Sequence, residues 1–445
     1  MADESSLMTN TARRTSAEPA EKLSASSQKA SGRSCTTTRQ RSAPISVDLA
    51  LERVRASTRR LGTETVQIGS ALGRVLASPA ATAHPLPTFD QSAVDGYAVR
   101  RFDLEASSTM LPVMSVVAAG PHEARPVLAP GAAARIFTGG LLPRGADTIV
   151  RQELTTTDGA TVTIREPVAL GADLRRRGEE LGAGEVVCPA GSQVTAGLIG
   201  ALTMAGVTTL TVARRPRVRA FITGDEVVPA GSPLGLGQIR DSNGPMAGAT
   251  LARWGSAEVE VDHLPDRPEV IERALRDCLD TADIIVTTGG VSAGDFDFIP
   301  PVAEAIGFER VLWGVAQRPG APLYVARRDD VLLFGLPGNP AAVLTNLHVY
   351  VRLAMDAMAG LDPSTRWRLG VSPEGIRQLE DRTMWLRCRA TTDEHGAVRF
   401  TTLRNQGSHM LSNLALANAL ARVPLGGSAD DQQPPVLSWL DLDAP

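Results

Sequence analysis

The sequence has 445 residues and a mass of 46.9 kDa, enough for about three domains of ordinary size. Hydrophobic residues make up 43% and charged residues 21%, which excludes collagen-like, wholly disordered and disulfide-scaffold classes. The formal net charge of −4 provides no overall attraction to nucleic acid or anionic lipid, and the 4% aromatic content is too low for an extended base-stacking surface. We therefore expect neither a nucleic-acid nor a membrane partner.

The cysteines and histidines give no sign of a disulfide framework or a zinc site. The cysteines form no CxxC pair, and no histidine pair has metal-binding spacing. This favours reduced thiols and a cytoplasmic location. We find no apolar stretch long enough for a transmembrane helix and no apolar core of a secretory signal near the N-terminus.

Residues 1–44 are rich in Ser and Thr and have few large aliphatic residues, so we expect a disordered tail. The only two lysines, Lys22 and Lys29, lie in this tail. Any anion held by a side-chain cation in the folded body is therefore expected to be held by arginine.

The first folding signals lie between residues 45 and 84. Apolar residues recur at helical spacing in Ile45–Leu61, and a strand at Thr65–Ile68 and a helix at Leu72–Leu76 are predicted next. Residues 85–166 then show short β-rich runs between Gly and Pro, typical of a small inserted β domain. A helix at Ala196–Met204 is predicted after this insert.

Residues 216–360 show three apolar runs, each of which ends in a Gly-containing loop: Val218–Glu226, Asp283–Ser292 and Val331–Pro340. Their alternation with helical patterns predicts a doubly wound parallel sheet. Ligands of such sheets bind at the carboxyl ends of the strands, where all three loops should lie. Alternating strands return after Gly360, so residues 361–445 are predicted to form a C-terminal β domain.

Two loops of the predicted sheet have the composition of anion sites. In Thr287–Ser292, two glycines would let backbone N–H groups approach a phosphate, although a plain strand-to-helix turn fits equally well. The loop matches neither the Walker pattern nor GxGxxG. Pro337-Gly338-Asn339-Pro340 is a stiff loop that suits an anion site or a structural turn in which Asn339 caps the helix.

Carboxylates follow the same strand ends. Asp225 and Glu226 follow the first run, Asp295 and Asp297 follow the second, and Asp266 precedes a helix as a possible N-cap. If the loops converge, these acids would face a phosphate-binding surface, as expected for Mg²⁺ coordination and phosphate-ester chemistry. For any single carboxylate, capping or simple solvation is the commoner role. No Ser-His-Asp, Cys-His or GxSxG arrangement indicates covalent catalysis.

Eight ordered motifs resemble one known family, the MoeA-type molybdopterin molybdenumtransferases, which includes the C-terminal part of gephyrin. The resemblance runs from about residue 45 to the C-terminus and depends on residues 89–98, 137–140, 175–180, 223–226, 239–243, 288–297, 335–340 and 405–409.

The resemblance implies an elongated homodimer of multidomain α/β plus β chains. It assigns a discontinuous linker domain to 45–84 and 167–215, an inserted β domain to 85–166, a molybdopterin-binding α/β domain to 216–360 and a C-terminal β-barrel to 361–445. The implied reaction is the last step of molybdenum cofactor synthesis, in which adenylylated molybdopterin and molybdate give molybdenum-molybdopterin and AMP with Mg²⁺. The molybdopterin adenylyltransferase and recipient molybdoenzymes are implied as further partners.

The resemblance also assigns residues to roles. Glu226, Asp266 and Asp297 are implied to be catalytic, with Glu226 and Asp297 as metal ligands. Asp95 and Thr138 are implied to reach the cleft from the inserted domain, of the partner subunit. The full set of implied or predicted substrate-binding residues is Asp95, Thr138, Glu180, Thr288, Gly289, Gly290, Ser292, Arg318, Pro337, Gly338, Asn339, Pro340, Arg387 and Ser408.

The chain departs from the family where lysines often surround a Lys-Pro-Gly-Lys-Pro loop. Gly314 and Ala321 replace two cations, Arg318 retains one, and Ala341 and Ala342 stand where a hydroxyl often follows the Gly-Asn-Pro loop. Two alternatives remain open at this point: a molybdopterin adenylyltransferase, whose fold resembles residues 216–360 alone, and a non-catalytic scaffold of the gephyrin kind.

Overall fold

The structure is a computed structural model that describes residues 43–105, 107–292, 294, 297–372, 376, 379, 381–425 and 436–444. Almost all of the predicted tail, and Asp295, lie outside these residues. The described helices are Val47–Ser57, Ala196–Met204, Asn243–Arg253, Pro268–Asp277, Ile299–Ala305, Pro340–Asn346 and Arg352–Ala359, and the last two are joined by a π-helical turn at Leu347–Val351. None of the described helices is long and apolar enough to cross a membrane.

The linker region is built from segments on both sides of the insert. Thr63–Gln67 pairs antiparallel with Thr209–Ala213, and Ala80–Ala81 pairs with Val186–Cys188. These strands and the helix Ala196–Met204 share a small apolar core that contains Leu76, Val194, Leu202, Leu210 and Val212.

Two sequence-based expectations for this region differ from the structure. The helix predicted at Leu72–Leu76 is wrong, because Gly73 has a φ of +74°, and Val75 and Leu76 form β-bridges to Gln193 and Val212. The helix Val47–Ser57, assigned with the linker, instead buries Val47, Ala50 and Val54 in the core of the central domain. Ser46 caps this helix by accepting a hydrogen bond from the Leu49 N–H at 3.2 Å.

The inserted domain is a six-stranded sheet with a separate apolar core on each face. Tyr97, Val99 and Val150 belong to one core, and Ala98 and Ile149 to the other, as strand alternation requires. The strands are Gly96–Val99, Thr109–Val117, Ala133–Ile136, Thr148–Arg151, Thr155–Thr157 and Thr161–Ile164. A two-residue pair, Gln91–Ser92 with Leu174–Arg175, links this domain to the linker region.

The central domain is a six-stranded sheet covered by helices on both faces. Its spatial strand order is Glu258–Leu264, Arg217–Thr223, Ile284–Thr288, Val331–Leu336, Tyr324–Arg328, Glu309–Trp313. The first four strands are parallel, as predicted, whereas Tyr324–Arg328 runs antiparallel to both of its neighbours, which the expected parallel sheet did not include. Asn243–Arg253 and Pro340–Asn346 pack on one face, and Pro268–Asp277 and Ile299–Ala305 pack on the other.

The C-terminal domain is a closed five-stranded barrel, as the family resemblance implied. Its strands are Arg368–Val371, Thr383–Thr392, Val398–Thr402, Ala419–Val423 and Val436–Asp441, and pairing between the second and fourth closes the ring. A short strand of the central domain, Gln317–Arg318, pairs in parallel with Thr383 and Met384. This pairing attaches the barrel beside the carboxyl edge of the central sheet.

Candidate active site

The three predicted loops meet at one edge of the central sheet. Their strands, Arg217–Thr223, Ile284–Thr288 and Val331–Leu336, are adjacent and parallel, so their carboxyl ends lie side by side. A cavity of about 860 Å³, called the cleft below, opens there between the sheet and the barrel. Predicted site residues that line it are Glu226, Thr288, Gly289, Ser292, Arg318, Pro337, Gly338, Asn339, Pro340 and Ser408.

The glycine-rich loop requires its glycines. Gly289 has a φ of +95°, and a Cβ there would lie 2.7 Å from Thr223 Oγ1 and 3.0 Å from the Thr223 carbonyl oxygen. Gly290 has a φ of +64° and shapes the turn without being one of the described residues that line the cleft. The Gly289 N–H donates to the Leu336 carbonyl oxygen at 2.9 Å, which ties two of the three loops together.

The Pro-Gly-Asn-Pro loop joins the central domain to the barrel. Asn339 makes no side-chain cap to the helix; its Nδ2 donates to Ser408 Oγ at 3.0 Å. The Ala341 N–H donates to the Ser408 carbonyl oxygen at 3.1 Å. On the other side, Asn243 Nδ2 donates to the Gly338 carbonyl oxygen at 2.7 Å. The loop is thus held from both sides, and Ser408 is fixed at the wall of the cleft.

Three carboxylates, those of Asp225, Glu226 and Asp297, act on Asp266 near one end of the cleft, although only Glu226 of the four is among the described residues that line it. The Asp266 N–H donates to Asp225 Oδ1 at 3.3 Å, and Asp297 Oδ2 accepts from the Gly294 N–H at 2.6 Å. Partial burial, followed by repulsion from Asp225, Glu226 and Asp297, raises the pKa of Asp266. In the described ranges, no three His, Cys, Asp or Glu side chains are grouped so that they could hold one metal ion.

Arginines supply positive charge to the cleft, and they differ in part from the ones that were expected. Arg318, which was expected, lines the cleft together with Arg240 and Arg382, whereas Arg387 does not. The Arg387 side chain is fully buried: its Nε donates to Asn413 Oδ1 at 2.7 Å, and its Nη2 donates to the Asn405 and Gly407 carbonyl oxygens at 3.1 Å. Burial lowers the pKa of Arg387 to about 10. The structure therefore places Arg387 outside the lining of the cleft, where it holds the loop that carries Ser408, and its assignment to substrate binding stays a prediction.

Three predicted site residues lie elsewhere in this chain. Asp95 and Thr138 form a pair on the inserted domain, in which the Thr138 N–H and hydroxyl each donate to Asp95 Oδ1 at 2.8 Å. These bonds hold the pKa of Asp95 below its usual value. Glu180 is exposed in the linker region. None of the three is among the described residues that line the cleft.

The sequence motif Asp241-Ser242-Asn243 was noted without a role for its residues. Asp241 is buried, and both of its carboxylate oxygens have a partner: Oδ1 accepts from the Gly244 N–H at 2.8 Å, and Oδ2 lies 3.0 Å from His263 Nε2. All three motif residues line the cleft. Asp241 therefore shapes the turn into the helix Asn243–Arg253, and Asn243 supports the Gly338 loop.

Comparison with known proteins finds matches along most of the chain from residue 45 to residue 429. Family models match in order: the MoeA N-terminal region (domain I and II) over residues 45–206, the probable molybdopterin binding domain over 219–357, and the MoeA C-terminal region (domain IV) over 370–429. A molybdopterin molybdenumtransferase of Staphylococcus epidermidis is 32% identical over 392 residues, which are 86% of this chain and 92% of that protein. The chain belongs to the MoeA-type molybdopterin molybdenumtransferase family.

Other relatives support the same family assignment. A molybdopterin molybdenumtransferase of a Nostoc species is 35% identical over 378 residues, 82% of this chain and 85% of that protein. The crystal structure of a molybdopterin biosynthesis MoeA protein from Pyrococcus horikoshii superposes with a TM-score of 0.75 at 25% identity, covering 90% of this chain and all of that one. Both the inserted β domain and the barrel of this chain are therefore features of its MoeA-type family.

Arg382 is the site residue that sequence reasoning missed. It comes just before the barrel strand Thr383–Thr392, and it reaches the cleft because that strand pairs with Gln317–Arg318. No local pattern marks Arg382, since its position depends on pairing between segments more than sixty residues apart. Only the attachment of the barrel to the central domain could have identified it.

Proposed function

We propose that this chain transfers molybdenum from molybdate to adenylylated molybdopterin and releases AMP, in the last step of molybdenum cofactor synthesis. The observation that carries the proposal is the composition of one cleft. A glycine-rich loop and Glu226 lie on the side of the central sheet, and Arg318, Arg382 and Ser408 lie toward the barrel. Such a cleft suits a ligand with phosphates and, beside it, a separate oxyanion.

The arginines and Ser408 are the proposed oxyanion site. Molybdate is a dianion, so it requires donors and positive charge rather than carboxylates. Arg318 and Arg382 supply guanidinium groups, and Asn339 orients the Ser408 hydroxyl by donating to its oxygen. Because that oxygen accepts from Asn339, the hydroxyl hydrogen is available to a bound anion. Arg382 thus supplies a second cation in a cleft whose loop has Ala321 where the family often has lysine.

The acidic end of the cleft fits Mg²⁺ in its donor chemistry. Glu226 and Asp297 are the proposed ligands, because Mg²⁺ in nucleotide enzymes is held by one or two carboxylates together with water and phosphate oxygens. That mode needs no group of three protein ligands, consistent with the separation of the acids in the described ranges. When bound, the ion would offset negative charge on the phosphates.

Asp266 is proposed to act as a proton acceptor near the phosphates. Its neighbours Asp225, Glu226 and Asp297 raise its pKa, and a carboxylate with a raised pKa is a stronger base when ionised. A water activated at this place could attack the phosphoanhydride, so that the bond between phosphorus and the bridging oxygen breaks and AMP leaves. The Thr288–Ser292 loop is proposed to hold the phosphates during this step.

We further propose that the active form is a homodimer in which the Asp95–Thr138 pair completes the cleft of the partner subunit. The pair is preorganised by two hydrogen bonds, yet it does not line the cleft of its own chain. In a homodimer, the Asp95–Thr138 pair of one subunit would contribute to the cleft of the other subunit. The molybdopterin adenylyltransferase and recipient molybdoenzymes are proposed to supply the substrate and to receive the product.

The two alternative functions are less well supported. A molybdopterin adenylyltransferase would need only the central domain, whereas this chain also matches the N-terminal and C-terminal regions of the MoeA family. A non-catalytic scaffold would have no need for a cleft that combines acids, a glycine-rich loop and arginines.

The test is AMP release from adenylylated molybdopterin with Mg²⁺, with and without molybdate. We expect molybdate-dependent release, which Asp297→Ala reduces at least about a hundredfold because a metal ligand is lost. Asp280→Ala, which changes an exposed aspartate in the same domain, is the matched control and should keep full activity. Tight binding of the substrate without any molybdate-dependent release would instead support the scaffold.

A further inference from the structure

Beside the oxyanion side of the cleft lies a buried cluster of polar side chains, one of which, Gln317, also belongs to the lining of the cleft. Its side chains are Gln317, Asn346, Tyr350 and Trp385, and each is at most 1% exposed. They come from three parts of the fold: the short strand Gln317–Arg318, the helical segment that follows the Pro-Gly-Asn-Pro loop, and the barrel strand Thr383–Thr392. We call these four side chains and the Gly320 carbonyl group the Gln317 network.

The Gln317 amide is the centre of this network and uses its full hydrogen-bonding capacity. Its Oε1 accepts from Tyr350 Oη at 2.7 Å and from Trp385 Nε1 at 2.9 Å. Its Nε2 donates to the Gly320 carbonyl oxygen at 3.0 Å and to Asn346 Oδ1 at 2.8 Å. The indole N–H can only donate, so the orientation of the amide is fixed.

The partners of Gln317 leave little freedom to the loop above them. Asn346 Nδ2 also donates to the Gly320 carbonyl oxygen, at 3.3 Å, and a Cβ on Gly320 would lie 2.8 Å from Asn346 Oδ1. Burial raises the pKa of Tyr350, so its phenol stays protonated and donates. The loop Arg318–Gly320 is therefore held at the Gly320 carbonyl oxygen by one atom of the Gln317 amide, Nε2, and one atom of Asn346, Nδ2.

The network connects two of the arginines that line the cleft, Arg318 and Arg382. Arg318 directly follows Gln317, and Arg382 directly precedes Thr383, which is the strand partner of Gln317. The Thr383 N–H donates to the Ala316 carbonyl oxygen at 3.0 Å, which continues the pairing on the backbone. The position of Arg318 relative to Arg382 therefore depends on this strand pairing and on the hydrogen bond from Trp385 Nε1 to Gln317 Oε1.

We propose that Gln317 is a positioning residue that aligns Arg318 with the barrel residues Arg382 and Ser408 and so sets the affinity of the cleft for its oxyanion. This inference rests on the proposed molybdenum-transfer function. Only an amide can accept twice and donate twice at this place, so no apolar residue of the same size can replace it. Gln317 is proposed to act through this alignment, without contact with the anion or the reacting phosphates.

The test uses the full chain with Gln317→Met, which keeps the length of the side chain and removes all four hydrogen bonds. We expect the KM for molybdate to rise about tenfold or more, since buried donors and acceptors lose their partners and the loop shifts. The kcat and the KM for adenylylated molybdopterin should stay within about a factor of two, because the glycine-rich loop and the acids are untouched. Titration calorimetry with molybdate alone should show the same loss of affinity.

Gln317→Glu separates the two halves of the network. A glutamate keeps both acceptor contacts, to Tyr350 and Trp385, but cannot donate to Gly320 or Asn346. A rise in the molybdate KM equal to that of Gln317→Met assigns the positioning to the donor half.

Asn418→Leu is the control for a loss of stability alone. Asn418 exchanges two hydrogen bonds with the Ala390 backbone in the same barrel, at 2.7 and 3.1 Å, and does not line the cleft. Its loss should lower the melting temperature without a change in the molybdate KM.

The outcomes are distinct. A folded Gln317→Met protein with an unchanged molybdate affinity overturns the inference, and so does an equal loss in every kinetic constant that the Asn418→Leu control reproduces. If the unsubstituted protein itself binds no molybdate in the calorimeter, the proposed oxyanion site fails and the inference fails with it. If the unsubstituted protein binds molybdate but releases no AMP, calorimetry on the variants still decides the role of Gln317.

Discussion

Two arginines five residues apart, Arg382 and Arg387, are expected to respond in opposite ways to the same substitution by methionine. Arg387→Met removes a fully buried guanidinium that donates three hydrogen bonds. Arg382→Met removes a guanidinium that is 42% exposed and forms an ion pair with the exposed Asp381. The first change should therefore affect mainly stability, and the second mainly the binding of the anion.

The magnitudes follow from burial. Each hydrogen bond to a charged donor contributes about 1.5–3 kcal/mol when buried, so we expect Arg387→Met to cost about 3 kcal/mol or more after relaxation, and the melting temperature to fall by about 6–12 °C. An exposed ion pair contributes about 0.5 kcal/mol, so Arg382→Met should shift the melting temperature by no more than about 2 °C. Loss of a direct charged contact to molybdate should raise its KM about 10- to 100-fold.

Thermal denaturation followed by circular dichroism measures the first quantity, and molybdate-dependent AMP release measures the second. Both variants must be compared at a temperature where the Arg387→Met protein is folded. If that protein keeps its melting temperature and loses molybdate binding, then Arg387 contacts the anion and our reading of the barrel loop is wrong. If Arg382→Met leaves the molybdate KM unchanged, Arg382 is not part of the oxyanion site.

Two further predictions concern the central domain. Gly289→Ala should destabilise the protein by about 1–2 kcal/mol more than Gly159→Ala, measured by denaturant unfolding. The two glycines have φ values of +95° and +94°, but a Cβ meets Thr223 at Gly289 and nothing within 4 Å at Gly159, so equal losses would refute the steric argument. Asp225→Asn should move the acidic limb of the pH–kcat profile to lower pH, because removal of a neighbouring negative charge lowers the pKa of Asp266. Asp266 must be ionised to accept a proton, so a lower pKa keeps the enzyme active at lower pH. A limb that stays in place or moves to higher pH would contradict this role.

The composition of the glycine-containing loops was enough to predict where the cleft lies. Each of the three runs is apolar and bounded by glycine, and the carboxyl ends of parallel strands share an edge, so the loops had to be close if the strands were neighbours. The structure makes them direct neighbours. Glu226 could be placed near the cleft for the same reason, because it follows one of these strands, whereas Asp266 follows the edge strand Glu258–Leu264, which was not predicted.

The antiparallel edge of the central sheet could not be predicted from these loops. Tyr324–Arg328 and Val331–Leu336 are joined by only Asp329 and Asp330, and such a short connection forces the strands to run in opposite directions. Asp329 takes a φ of +52°, which the turn requires and which aspartate tolerates better than most residues. The sequence signal for an antiparallel pair was the two-residue turn Asp329–Asp330. The prediction missed it, because Val331–Pro340 has the pattern of a single apolar run, which does not indicate a strand before it.

The exchange of roles between Arg382 and Arg387 has a similar cause. Alternation along the strand Thr383–Thr392 puts Leu386 and Cys388 in the barrel core and leaves Trp385 and Arg387 on the outer face. An outer arginine on a barrel strand would ordinarily be exposed and free to bind a ligand. Here the central domain covers Trp385, and the loop with Asn405, Gly407 and Asn413 covers Arg387, so both faces of the strand are buried. In this segment a side chain reaches the cleft only where this cover ends, just before Thr383, and that residue is Arg382.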